Sequence, residues 1–372
     1  MNFDYNETQQ MLLDSAERLM KSRASVEKWR ARRELPGGFD PSGWAQFAEL
    51  GWLALPIPED AGGLGGSMED VALLMVALGK GLAVEPYVST AVLCGHIIDR
   101  AGQDRRADLL GAIAAGETRV TLAHAEAADR YDVATPRATV AHSLQHSYVL
   151  NGTKMLALDA PSAAYFIVSA CLEGAPGTAL FLVDAAARGV ALADYPLVDG
   201  SHAADIRLDD VQVERGALLA EGAAGADLLG AAIDRATLAL IAQAVGSMEA
   251  CLEICSGYIK ERKQFGQPIG SFQALQHLIV DMLISTHQSR SILYQALARV
   301  DDTAAERRRA VSNAKIVAGE AMQLVSRTGI QLHGGYGLTD EYAISHHFNR
   351  LLVLEKAYGD IDHHVRRLAT SA

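Results

Sequence analysis

The chain has 372 residues, 49% of them hydrophobic and 21% charged, enough to bury a sizeable core and too apolar for a disordered chain. Lys and Arg total 33 against 45 Asp and Glu, a formal charge of −12 with a pI near 5.5, which argues against a nucleic-acid or anionic-membrane surface. No run reaches the ~18 uninterrupted apolar residues of a membrane span. The best, Val71–Leu78, stops at Gly79-Lys80. The cysteines, Cys94, Cys171, Cys251 and Cys255, form no CxxC pair, so neither a disulfide framework nor a zinc knuckle is expected. With a polar N-terminus, MNFDYNETQQ, unlike a signal peptide, the expectation is a cytoplasmic protein.

Three textures follow one another along the chain. Residues 1–118 have a helical period. Asn6 and Gln9 have the spacing of a capping box, and Leu12, Ala16, Leu19 and Met20 then share a face. A second helix is predicted over Ser67–Lys80, after the Pro- and Gly-rich loop LALPIPEDAGGLGGS. Residues 119–220 read as short strands. Asn151-Gly152 between Ser147–Leu150 and Thr153–Leu156 is a hairpin signal. Further strands are expected at Ala164–Leu172, Ala179–Val183, Gly189–Leu192 and Ile206–Val213, an antiparallel β domain. Residues 221–372 return to long helices. They cover Leu228–Arg262, a helix capped by Ser271 that carries Leu275, Leu278, Ile279 and Met282, then Ala304–Thr328 and Thr339–Leu354, with a last turn near Asp362–Leu368. Four long helices joined by short loops predict an antiparallel bundle. The fold class is α+β: an N-terminal α-helical domain, a middle β domain and a C-terminal four-helix bundle.

No GxxxxGK[ST], no GxGxxG after a strand and no GxSxG elbow is present, so the common nucleotide and hydrolase sites are not signalled. Gly62-Gly63-Leu64-Gly65-Gly66 reads as a turn rather than a phosphate cradle. The adjacent pairs His346-His347 and His363-His364 read as surface or core histidines rather than metal ligands. Two bundle segments stand out. Glu261-Arg262-Lys263-Gln264-Phe265-Gly266-Gln267-Pro268-Ile269 places a guanidinium, an aromatic ring and a turn together, which suits a pyrophosphate with a stacked ring. Gln331-Leu332-His333-Gly334-Gly335-Tyr336-Gly337 reads as a C-capped helix and a tight turn, or as backbone brought close to a ligand.

Those segments, in order with PIPEDAGGLGGS, YVLNGTKM, DDVQV and QLHGGYGLTDEY, resemble the acyl-CoA dehydrogenase superfamily over essentially the whole chain. The resemblance implies FAD as cofactor, an acyl-CoA substrate and an electron-transferring flavoprotein as acceptor. It implies a homo- or hetero-oligomer, dimer or tetramer, with no nucleic-acid or membrane partner. It assigns Arg262, Gln264, Phe265, Gln331, Gly334 and Gly335 to cofactor binding, with Arg262, Phe265, Gln331, Gly334 and Gly335 at the adenine end of a neighbouring subunit's FAD.

The departures from the family pattern carry information too. After LNGTKM, where the family has a Trp that shields the flavin and a Thr near N5, this chain has Leu156-Ala157-Leu158-Asp159. The family's Thr-Glu-Pro appears as Ala125-Glu126-Ala127, followed by Arg130-Tyr131-Asp132, and its Asp-x-x-Arg as Asp234-Arg235-Ala236-Thr237. The catalytic glutamate falls on Tyr358 or Gly359, and its minority position on Ala236. Asp360 is then the nearest carboxylate to serve as base, ahead of Glu126 and Glu355. GKGLAVEPYVSTAVL and YGDIDHH resemble the diverged, smaller subunits of heteromeric enzymes such as pimeloyl-CoA and steroid-side-chain dehydrogenases. The readings left open are that subunit, a self-sufficient dehydrogenase with an unusual base, a nitroalkane-oxidase-like enzyme with an aspartate base, and a flavin-free scaffold.

Overall fold

The computed structural model describes residues 5–23, 25–102, 105–128, 131 and 136–370. Arg130 and Asp132, noted above, lie outside them. Helices α1 (Glu7–Arg23), α2 (Val26–Arg33), α3 (Pro41–Glu49), α4 (Met68–Lys80), α5 (Gly95–Ala101) and α6 (Arg106–Ala114) precede the sheet, with a π-helical turn at Val88–Cys94 leading into α5. The strands are β1 (Val120–Ala123), β2 (Val140–Ser143), β3 (Ser147–Leu158), β4 (Tyr165–Leu172), β5 (Ala179–Asp184), β6 (Val190–Pro196), β7 (His202–Glu214) and β8 (Leu218–Ala220). Then come α7 (Gly222–Glu261), a two-stranded hairpin of β9 (Lys263–Gln264) and β10 (Gln267–Pro268), α8 (Gln273–Leu297), α9 (Ala304–His333), α10 (Ala343–Lys356) and α11 (Ile361–Thr370).

Contacts group the chain into two units that cut across the three textures. One holds Met1–Arg32, Met68–Ala83 and Thr237–Ala372, the other Arg33–Ser67 and Val84–Ala236. The division falls inside α7.

In the helical unit the capping box forms as expected. Asn6 Oδ1 accepts from Gln9 N at 2.8 Å, and Gln9 Oε1 accepts from Asn6 N at 3.2 Å. Ser271 does not cap α8: the Ncap position is Phe272, and the Ser271 hydroxyl turns back to Pro268 O at 2.7 Å. By length and composition α7 could cross a membrane, yet 83% of its most apolar window is buried inside the protein. Its apolar character on all sides answers to neighbouring helices. Two glycines set that packing. A Cβ at Gly79 would lie 1.9 Å from Gln243 O, and one at Gly246 would lie 1.9 Å from Val76 O, so α4 and α7 touch backbone to backbone. Trp29 stacks on His346 with ring centroids 3.9 Å apart, and Arg30 pairs with Asp340 at 3.2 Å.

In the sheet unit the strand order is β6-β7-β3-β2-β4-β5-β8, with β1 beside β4. Pairing is mostly antiparallel, but β4 runs parallel to both β1 and β2, so the middle sheet is mixed. Its core gathers Leu150, Phe166, Val168, Phe181, Ile206 and Val211 between the strands. The expected hairpin at Asn151-Gly152 is absent. Those residues lie within the single strand β3, which shifts register between Leu150 and Gly152. The Asn151 side chain bonds the backbone and carboxylate of Asp210 on β7, at 2.8 and 2.9 Å. Gly152 is needed because a Cβ there would meet Thr139 Cα at 2.6 Å. A bulge uses the same residue types as a two-residue turn.

Candidate functional site

The first functional segment is an arm at the end of α7. Arg262 N still donates to Tyr258 O (2.8 Å), and Ile269 N donates to Arg262 O (2.8 Å), closing the hairpin base. Gln264 pairs with Gln267, leaving Phe265 (φ 54°) and Gly266 (φ 81°) as a two-residue turn with both φ positive. A phenylalanine in the left-handed region is uncommon, and this one is 92% exposed, touching only the edge of Phe272 at 6.1 Å among the described rings. Among the described residues, nothing beyond that edge contact accounts for the ring. Arg262 and Lys263 are exposed and make no ion pair among the described residues, and the Gln264 amide folds onto Lys263 O at 2.8 Å. The arm presents a free guanidinium and a free aromatic face.

The second segment ends α9. His333 Nδ1 donates to Gly329 O (2.8 Å), so the buried Nε2 carries the lone pair and has no partner among the described residues. Burial pushes its pKa down, against the pull of that carbonyl. Gly334, at φ 60° and ψ −142°, adopts a conformation that only glycine reaches cheaply. Gly335 is exposed, with open space where its Cβ would be. The His333 ring lies 4.2 Å from Tyr258 and 5.0 Å from Tyr342, and Tyr342 lies 4.6 Å from Tyr336. Tyr258 is one turn before Arg262. The Tyr258–His333 stack therefore joins the arm of Arg262, Gln264 and Phe265 to the turn of Gln331, Gly334 and Gly335. Sequence alone assigns Tyr258 and His333 no role; the one signal is that Tyr258 precedes Arg262 by one helical turn.

The third segment is the turn between α10 and α11. Tyr358 (φ 54°) and Gly359 (φ 115°) reverse the chain. A Cβ on Gly359 would lie 2.6 Å from His363 Cδ2 and 2.7 Å from His364 Nε2, so a side chain there must displace those rings. Asp360 acts as a helix cap: its Oδ1 accepts from His363 N (2.9 Å), and Lys356 lies 3.6 Å from Oδ2. Glu355 is buried, paired with Lys356 at 2.9 Å. Beneath the turn sits Lys315, fully buried, donating to Leu354 O (2.6 Å) and Ala357 O (3.0 Å). Burial pushes its pKa down to about 8 against the attraction of Glu355 and Asp360. Its signal was helical spacing with the buried Val311, Ala314 and Ala318 on α9.

In the sheet unit, Leu156 occupies a second bulge of β3, at φ 51°, with its N–H donated to Asp205 Oδ1 at 3.0 Å. The bulge turns both Met155 and Leu156 outward, 40% and 44% exposed, so the Leu156 side chain faces out but offers neither ring nor hydroxyl. Leu158 likewise lacks a hydroxyl. Glu126 points inward instead: Oε1 accepts from Lys154 Nζ (2.6 Å) and Thr139 N (3.0 Å), while Oε2 accepts from Arg137 N (2.8 Å) and Ala138 N (2.7 Å). Burial would raise its pKa, but the ammonium and amides outweigh burial and hold it at about 2. That carboxylate is structural.

Within the helical unit, the arm and the Gly-Gly turn have the chemistry to hold part of FAD. Arg262, Phe265, Gln331, Gly334 and Gly335 would hold a diphosphate and a ring, while Leu156, Leu158 and Gly359 carry no hydroxyl, aromatic ring or carboxylate. Bound FAD would supply a two-electron acceptor for the substrate's β-hydrogen.

Comparison with known proteins gives this arrangement a family. Residues 6–117 match the acyl-CoA dehydrogenase N-terminal domain model, and residues 223–372 match the C-terminal domain model. Acyl-CoA dehydrogenase FadE27 of Mycobacterium tuberculosis is 30% identical, covering 99% of this chain and 98% of its own. The ChsE4-ChsE5 complex from Mycobacterium tuberculosis superposes with a TM-score of 0.90 at 28% identity, over 100% of this chain and 98% of the matched one. A variant of the Tcur3481-Tcur3483 steroid ACAD superposes with a TM-score of 0.89 at 30% identity, over 98% and 97%. The chain belongs to the acyl-CoA dehydrogenase family, FAD flavoproteins that oxidise acyl-CoA thioesters.

Proposed function

We propose that this chain is the diverged subunit of a heteromeric, FAD-dependent acyl-CoA dehydrogenase that introduces an α,β double bond into an acyl-CoA thioester. Its own role is to complete a partner subunit's flavin site with the Arg262–Phe265 arm and the Gln331–Gly335 turn. The observation that carries this reading is Gly359. The family's base falls on Tyr358 or Gly359; neither supplies a carboxylate, and a Cβ at Gly359 would crowd the rings of His363 and His364. Asp360 does not substitute, since its carboxylate caps α11. The α-proton is then removed by a carboxylate of the partner. Similarity to two structures described as two-protein dehydrogenase assemblies supports the same reading. By family resemblance the electrons leave to an electron-transferring flavoprotein, and the cytoplasm is the expected compartment.

The test is expression of the chain alone and with a catalytic acyl-CoA dehydrogenase chain, followed by flavin absorbance per chain and anaerobic bleaching with a panel of acyl-CoAs. Alone, we expect substoichiometric flavin and no bleaching. Together, we expect an even-numbered heteromer with about one FAD for every two chains, since one competent site forms per pair. Full flavin occupancy and bleaching in the isolated chain would sink the reading.

A further inference from the structure

The helical unit contains a cavity of about 280 Å³ between α1, α4, α7 and α8. Leu73, Val76, Val245 and Leu293 are among its walls, and three of them are buried. Its presence follows from the glycine contacts. Gly79 and Gly246 fix α4 against α7, and a Cβ at Gly81 would lie 2.4 Å from Met20 Sδ on α1. Pinned at those crossings, the helices cannot close on the gap, and α4 faces it with small side chains, Ala72, Val76 and Ala77. The space opens to solvent on one side, so its apolar walls stay in contact with water unless a ligand covers them. Cavities of ~150 Å³ already hold a benzene ring, and ligand pockets begin near 300 Å³.

The charges at the rim set the ligand class. Lys80 lies 2.9 Å from Glu249 Oε2, and Arg290 bonds the other oxygen of the same carboxylate. Both lining cations are thus already engaged. Glu17 and Glu69 add negative charge, so an anion gains no partner and meets repulsion. Glu17 pairs with Lys21 at 3.4 Å and Glu69 is exposed, so a cation gains only a solvent-screened attraction. What remains is hydrogen bonding near the Tyr294 hydroxyl, which bonds Tyr5. We infer that this cavity is a binding site for a small, uncharged, largely apolar molecule carrying one hydrogen-bonding group, and that it excludes carboxylates.

The probes are 4-phenyl-1-butanol, 4-phenylbutyrate and 4-phenylbutylamine, which share one body with neutral, anionic and cationic heads. Saturation-transfer NMR and thermal shift on the assembled full-length protein should show the alcohol binding, the butyrate not binding, and the amine at least tenfold weaker than the alcohol. Val76→Phe puts a ring into the space from α4 and narrows it; it should weaken the alcohol's binding at least tenfold without lowering the unliganded melting temperature. Ala72→Leu, an aliphatic change on the same face of α4, makes the same test if Val76→Phe does not fold. The inference is overturned if the wild type ignores the alcohol. It is overturned equally if either variant binds the alcohol undiminished, or if the butyrate or the amine matches it.

Discussion

Gly359 packs against His364 without space for a Cβ: an L-residue's Cβ at position 359 would lie 2.7 Å from His364 Nε2, so the ring would have to move. The backbone there has φ 115°, a conformation open to glycine and costly for any other residue by about 1–3 kcal/mol. Gly359→Ala should therefore lower the melting temperature by about 1–4 °C, taking roughly 1.3 °C per kcal/mol for a chain of 372 residues. Gly359→Glu should cost more and should not confer acyl-CoA-dependent flavin bleaching on the isolated chain. A folded, active Gly359→Glu protein would show that the turn can hold a base.

Asp360 separates a capping role from a catalytic one. Asparagine caps about as well as aspartate, whereas alanine loses about 1 kcal/mol. Asp360→Asn should match wild-type stability, and Asp360→Ala should be less stable by that amount in urea titration. In the assembled enzyme, stopped-flow flavin reduction should be the same for both variants and wild type. Abolished reduction in Asp360→Asn, with FAD retained, would restore the carboxylate to the chemistry.

The buried Glu126–Lys154 pair governs acid stability. The folded carboxyl is held at about 2, below its ordinary value of 4.5. A group lowered in the folded state stabilises fully above its unfolded pKa, and that contribution is lost as pH falls through the folded pKa. Wild-type stability should therefore decline from about pH 4.5 toward pH 2. Glu126→Gln leaves the Lys154 ammonium buried without its anion and should cost about 3–5 kcal/mol at pH 7. It should also flatten the acid limb, read from urea midpoints at each pH. An unchanged acid limb in Glu126→Gln would assign the loss to other carboxylates.

Helix order and most strand positions were legible because period and capping are local: Asn6 and Gln9 meet as their spacing implies. Asn151-Gly152 misled because a bulge and a turn draw on the same residues, and only the partner strand distinguishes them. Ser271 misled because the chain turns back to Pro268 O before α8 begins. The arm and the Gly-Gly turn were legible as motifs, but their connection through Tyr258 and His333 depends on rings 75 residues apart in sequence. The capping of Asp360 needed the path of α11. Lys315 and Lys154 were hidden because a single lysine on an apolar face reads as an exception until the carbonyls or carboxylate that satisfy it are located.

The exposed arm gives the sharpest division between structural and functional residues. Phe265 is 92% exposed and Arg262 makes no ion pair among the described residues, so neither supports its own chain. Arg262→Ala and Phe265→Ser should leave the melting temperature of the isolated chain within about 1 °C of wild type, as surface changes usually do. In the heteromer, a guanidinium bonded to a diphosphate contributes about 1.5–3 kcal/mol, so Arg262→Ala should weaken FAD retention roughly 10- to 100-fold. Phe265→Ser, which loses a stacked ring, should weaken it less. Lys263→Ala serves as the control: it removes an adjacent charge that the resemblance does not assign to the cofactor, and it should change retention little. Flavin absorbance per chain after gel filtration reads all three. Equal retention in Arg262→Ala and Lys263→Ala would remove Arg262 from the cofactor site and leave the arm without a function.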